Sequence, residues 1–241
     1  MSEGWILGFD TATRATAVAL VAADGRLLEA RDDPPVGERP RHAARLLPLC
    51  AEVLEQAGIG YADLDRLAVG VGPGTFTGLR IGVATGRALA AASAIPVVGV
   101  STLHSLALNA ESAGPDLGAV AAVLDARRGE AFAAAWALEQ LEPREDPLFA
   151  AGAFTPESLA ERLSALELPV LAIGEGAVAF RMILERSGAF IPDDESGLHR
   201  VTAAGHCRLA RQAPSADPAE LTPRYLRLPD AEIARRAKGT Q

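Results

Sequence analysis

Residues 70–87 read GVGPGTFTGLRIGVATGR, and the fold turns on what so many glycines are for. Glycine loses more backbone freedom on folding than any other residue, so a chain keeps a run of them where backbone geometry or close backbone approach requires it. A phosphate-binding loop and a helix built for close contact are the two explanations. A P-loop needs G-x-x-x-x-G-K-[ST], whose lysine neutralises phosphate; Gly72 to Gly78 contains no lysine, and Arg80 comes two residues later. The dinucleotide pattern G-x-G-x-x-G fails as well, because Gly72 and Gly74 are followed by Thr75, Phe76 and Thr77. An apolar run leading through glycines into a helix still leaves free amides and a positive dipole end that suit an anion. A plain glycine turn capped by Thr75 or Thr77 is the competing account, and the sequence leaves both open.

The helix beyond the loop is more informative. Gly78, Gly82 and Gly86 recur every four residues and Ala90 completes the stripe, so one face is nearly bare. Three interior glycines cost roughly 2 to 3 kcal/mol relative to alanine, and close packing of another element is what could offset that. Packing inside the lobe and contact with another molecule are about equally supported by the spacing.

Outward from this block, WILGF (5–9), TAVALVA (16–22) and RLLEAR (26–31) read as three strands of a meander, with turns at DTATRA and Asp24-Gly25. RHAARLLPLCAEVLEQAG follows with helical spacing. Its apolar positions cover an arc of about 180°, wider than one sheet face uses. That width favours both internal packing and an external contact. Pro48 inside the pattern predicts a kink. LDRLAVGVG is a buried strand entering the glycine loop, and PVVGV is a short strand after the second helix. Beyond a linker at ESAGPDLG, GAVAAVLDARRGEAFAAAW reads as a hairpin turning at Arg127-Arg128-Gly129, Thr155-Pro156 opens a capped helix, and PVLAIGEGAVAF gives strand, glycine turn and helix. This is an α/β chain of two lobes, divided as 1–110, 111–213 and a partly disordered tail 214–241.

Composition bounds the function. The 241 residues are 49% apolar with a net charge of −8, which argues against the chain holding nucleic acid by itself. The one basic concentration is the tail, with Arg224, Arg227, Arg235, Arg236 and Lys238. No apolar run spans a bilayer, the start lacks a basic leader, and Cys50 and Cys207 form no metal or redox pair, so a reduced cytoplasmic protein is expected. His42, His104, His199 and His206 contain no helical zinc pair, and GVSTL lacks the second glycine of a nucleophile elbow. Asp10, with Thr11 and Thr13, could hold hydrated magnesium or phosphate; an Asx turn is the commoner use of such residues.

ILGFDTAT, GVGPGTFTGLRIGVATGRALA, VGVSTL, VLDARRGEAF and PRYLR occur in the order and spacing of the TsaB (YeaZ) family, which the chain resembles over nearly its whole length. The resemblance implies the two-lobed fold of actin, Hsp70 and sugar kinases (the ASKHA fold). It implies a non-catalytic paralogue of TsaD that pairs with TsaD and with the ATPase TsaE in threonylcarbamoyladenosine modification of tRNA, meets tRNA only through that complex, and forms a homodimer when alone. TsaD carries an H-x-x-x-H metal segment after the strand matching VVGV; here STLHSLAL puts Thr102 and Leu106 at those positions, so no metal is implied. The family docks through its two N-terminal-lobe helices, which points to His42, Leu46, Cys50, Val53, Gly78, Gly82 and Gly86 as interface residues. Candidate nucleotide or anion loops are Asp10, Thr11, Thr13, Gly72, Gly74 and Thr75, with Gly174 and Gly176 as a second glycine turn. Glu175 between those glycines adds negative charge, so ATP or ADP is expected to bind weakly at most and no cofactor is required. An independent ATPase or kinase of the same fold is the rival reading.

Overall fold

A computed structural model describes residues 4–35, 37–112, 117–139, 141 and 146–227. Two mixed sheets carry the fold. The first comprises β1 (Trp5–Asp10), β2 (Thr16–Val21), β3 (Leu27–Asp32), β4 (Leu64–Gly72) and β5 (Val97–Ser101), in the order β3-β2-β1-β4-β5. The meander β1-β2-β3 is antiparallel, and β4 and β5 add in parallel. The second sheet comprises β6 (Ala119–Arg127), β7 (Glu130–Ala137), β8 (Phe149–Phe154) and β9 (Val170–Ile173), in the order β8-β7-β6-β9. Its β6-β7 hairpin turns at Arg127-Arg128-Gly129, all three with positive φ.

Helices fill three layers around the sheets. α1 (His42–Ala57) and α2 (Phe76–Ser93) cover one face of the first sheet, where Leu46, Leu49, Cys50 and Val53 meet Leu7, Phe9, Val69 and Val83. α1 continues through Pro48. Between the sheets lie α3 (Thr102–Ala107) and α7 (Ala203–Gln212), whose Leu103, Leu106, Cys207 and Leu209 join Ile6 and Ala19 to Val120, Leu124 and Trp136. α4 (Pro156–Ser164), capped by the Thr155 hydroxyl, closes the far face of the second sheet, with the short α5 (Glu175–Ala179) and α6 (Arg181–Leu184) nearby.

The sequence divided the chain into 1–110, 111–213 and a partly disordered tail 214–241; the structure moves α7, inside the second span, onto the first lobe. α7 packs on β1, β2 and β4 of the first sheet, where the Arg66 guanidinium donates to the carbonyls of Ala210 and Ala213. The chain then returns as an ordered strap. Ala216 bridges to Val97, Leu221 is buried in the core under α2, and the Arg224 amide donates to Val71 O at 2.8 Å. A single buried leucine between polar residues carries no periodicity, which is why the strap reads as a tail. Arg235, Arg236 and Lys238 lie outside the described residues.

Candidate functional site

β1 ends at Asp10, and the turn that follows packs against the glycine loop of residues 72–75. Asp10 Oδ1 accepts from the Ala12 amide at 2.7 Å, the Asx turn weighed above. Its other oxygen is also engaged. Thr102 Oγ1 donates to Asp10 Oδ2 at 2.8 Å, and His206 Nε2 stands 2.9 Å from the same oxygen, off the line of a straight hydrogen bond. Asp10 is only 1% exposed, and a Cβ on Gly70 would collide with its carboxylate. Burial alone would push this carboxyl up, but the His206 ring, the Ala12 amide and the Thr102 hydroxyl together hold it below the usual carboxylate range.

Ser105 extends the line, its Oγ 2.8 Å from His206 Nδ1. Ser105, His206 and Asp10 thus stand in the order of a hydrolase triad, a constellation that sequence reasoning missed because its members come from three distant segments. A nucleophile must reach its substrate. Ser105 and His206 are fully buried, and Ser105 Oγ also lies 3.0 Å from Thr202 O. The line ties β1, α3 and α7 together.

The remaining loop residues are similarly committed. Thr11 is fully buried and its hydroxyl donates to Gly78 O at 2.8 Å. Thr13 is 8% exposed. Gly72 has φ +108, and Arg224 O lies 3.1 Å from where its Cβ would stand. Gly74 has Ala12 Cβ 2.5 Å from the same position, and the Thr75 amide donates to Ala12 O at 2.7 Å. Thr75 holds the N-cap position of α2 without a side-chain cap bond. Two turns that could have cradled an anion therefore bind each other. Gly174 (φ +111) gives its amide to His199 Nδ1 at 3.1 Å, leaving His199 Nε2 to donate to Pro192 O at 3.2 Å. A Cβ on Gly176 would meet the Leu124 backbone at 2.7 Å. Glu175 lines a cleft of about 400 Å³ with Thr13, Arg14, Arg31 and His199. Burial, aided by the Asp125 charge, pushes its carboxyl up.

The proposed interface residues require a correction. His42, Leu46, Cys50 and Val53 are at most 3% exposed, turned into the core against the first sheet. His42 Nδ1 pairs with Thr16 Oγ1 at 2.9 Å. The glycine stripe faces inward too. A Cβ on Gly78 or Gly82 would collide with Thr11, and one on Gly86 would lie 2.6 Å from Val69 Cγ2 and 3.4 Å from Leu221 Cδ2. The internal packing reading accounts for all three glycines. Exposed on the same helices are Leu47 and Ala51 of α1 and Phe76, Ala84 and Ala88 of α2.

Two lobes, each a mixed sheet flanked by helices, with a closed Asp-Thr turn on the first strand and a glycine turn on the second sheet, define an α/β protein of the actin, Hsp70 and sugar-kinase class. EutJ from Carboxydothermus hydrogenoformans shares this fold at TM-score 0.51 and 13% identity, over 87% of this chain and 90% of that one. A family model described as "TsaD: tRNA N6-adenosine threonylcarbamoyltransferase" matches residues 34–235. The chain is 34% identical over 196 residues to the tRNA threonylcarbamoyladenosine biosynthesis protein TsaB of Escherichia coli (strain K12), covering 79% of each. It is 28% identical over 240 residues to TsaB of Bacillus subtilis (strain 168), covering 94% of this chain and 96% of that one. The solved structure of YeaZ from Pseudomonas aeruginosa superposes at TM-score 0.76 with 28% identity, covering 92% of this chain and all of the other. The chain belongs to the TsaB (YeaZ) family.

Proposed function

We propose that this chain is a non-catalytic subunit of the cytoplasmic machinery that makes threonylcarbamoyladenosine next to the anticodon of tRNAs reading ANN codons. It binds TsaD, and with it TsaE, is required for threonylcarbamoyl transfer, and touches tRNA only within that assembly. Alone it forms a homodimer. The names of the Escherichia coli and Bacillus subtilis relatives support the pathway. The non-catalytic role rests on one observation, the sealing of Asp10 by Thr102 and His206. A carboxylate that is 1% exposed, with the Ala12 amide, the Thr102 hydroxyl and the His206 ring packed against its two oxygens, gives a hydrated magnesium ion no open approach. Leu106, the second position where the resemblance would require a metal ligand, is fully buried and apolar. No cofactor is needed, and ATP or ADP binds weakly at most.

Docking uses the outward sides of α1 and α2, where Leu47 is 48% exposed, in place of the inward glycine stripe. Copurification with tagged TsaD tests this, using Leu47→Asp and Ala84→Asp. Loss of TsaD by folded variants is the expected result, and normal retention by both would sink the docking assignment. Steady ATP turnover by the isolated chain would favour an independent ATPase or kinase instead.

A further inference from the structure

Most of the charge on the walls of the cleft between the lobes is already committed. The cleft, of about 400 Å³, draws Arg14, Arg31 and Asp33 from the first lobe, Leu124 and Glu175 from the second, and Asp194 and Arg200 from the segment that leads to α7. No residue of α1 or α2 lines it, so the docking sides of those helices form none of its walls. Arg14 donates to the carbonyls of Pro35 and Glu38 at 2.7 and 2.9 Å. Arg31 pairs with Asp33 and donates to Val201 O at 2.6 Å, and Asp194 pairs with Arg181 at 2.6 Å.

Glu175 and Arg200 are the exceptions. Among the described residues neither side chain has a hydrogen bond or an ion pair, and the two do not pair with each other although they line one cavity. Burial and the Asp125 charge push the Glu175 carboxyl up, which the charges of Arg127 and Arg14 offset only in part, whereas Asp10 and Asp24 shift the other way. Unpaired charges are common on an open surface; what sets this pair apart is that opposite signs face one cavity between the lobes.

We propose that the cleft binds a small zwitterion of the amino-acid class, with its ammonium on Glu175, its carboxylate on Arg200 and its side chain against Val178 and Val201. A guanidinium fork matches a carboxylate, and a concave site with apolar walls and a few convergent polar groups is the usual form of a small-ligand pocket. A nucleotide suits the same cleft poorly. The glycine loop and the turn after β1 bind each other instead of phosphate, and Glu175 repels a polyanion. The site stands independently of the partner role proposed above.

The test is ligand-detected NMR and calorimetry on the full-length chain with the common L-amino acids, each at about 10 mM, enough to fill most of a site with a Kd near 1 mM. The expected result is binding of at least one, with affinity lowered about tenfold by Glu175→Gln and by Arg200→Ala, both variants folded by circular dichroism. The N-acetylated form of the amino acid that binds, which lacks the ammonium, should bind wild type and Glu175→Gln equally. The corresponding amine, which lacks the carboxylate, should bind wild type and Arg200→Ala equally. Absence of binding by every amino acid would overturn the proposal, as would binding that neither substitution weakens. An amine or N-acetylated form that binds as tightly as the amino acid would also overturn it, and so would ATP binding more tightly than any of them, which would make the cleft a nucleotide site.

Discussion

Gly82 of α2 lies directly against Thr11 of the turn after β1, so close that a Cβ on the glycine would collide with the threonine Oγ1. Gly82→Leu therefore overpacks a buried seam. Overpacking costs about 1 to 3 kcal/mol, which outweighs the roughly 0.5 to 1 kcal/mol that leucine gains over glycine in helix propensity. The melting temperature should fall by roughly 2 to 8 °C for a chain of this size. Ala84→Leu on the exposed side of the same helix should leave it nearly unchanged. Calorimetry on both variants decides, and an unaltered Gly82→Leu melt would contradict the inward packing.

The same glycines show how far the sequence could be read. Their four-residue spacing revealed a bare helix face, and the strands other than β8, both of these helices and the Arg127-Arg128-Gly129 turn follow from local pattern. What approaches the face was not legible, because Thr11 comes from the turn after β1, Val69 from β4 and Leu221 from a strap with no periodic signature. Asp10 stood out as a candidate. Its seal did not, since His206 and Thr102 reach it only through the packing of α7 and α3 against the first sheet. The wide apolar arc of α1 likewise proved to contain both a buried side with Leu46, Cys50 and Val53 and an exposed side with Leu47 and Ala51.

Thr102→Val keeps the shape of the side chain and deletes the hydroxyl that donates to Asp10. The lost buried, charge-assisted bond should lower unfolding free energy by about 1 to 3 kcal/mol. Asp10→Ala strips the acceptor from the Thr102 hydroxyl and the Ala12 amide and leaves a void beside His206, and should cost more than Thr102→Val. Denaturant titration of the two variants measures both. Equal stability of Thr102→Val and wild type would refute the seal.

Stability should fall in two stages as pH is lowered. Burial pushes the His42 ring down, partly offset by the charges of Asp10 and Asp32, so the folded state resists a proton that the unfolded chain accepts near pH 6.5. Stability is thus lost as pH falls through about 6.5. Asp10 is held below its unfolded value, so its contribution is present above about pH 4 and disappears as pH drops further. Melting curves from pH 8 to 3 should show both limbs, and His42→Gln should flatten the first alone.

Leu221 is 3% exposed beneath α2, whereas Met182 is 72% exposed on α6. Leu221→Ala should cost about 2 to 5 kcal/mol through the cavity it leaves, and Met182→Ala almost nothing. Equal stability of the two variants would show the strap to be dispensable for the fold of the first lobe.

The most direct test of the central claim is threonylcarbamoyladenosine formation on tRNA by purified TsaD and TsaE, with this chain added or withheld. The account predicts that modification requires this chain. It also predicts that activity persists in Asp10→Asn, a conservative change, as long as the variant folds and still binds TsaD. Full modification without the chain, or its loss in a folded, TsaD-bound Asp10→Asn variant, would contradict a non-catalytic partner role.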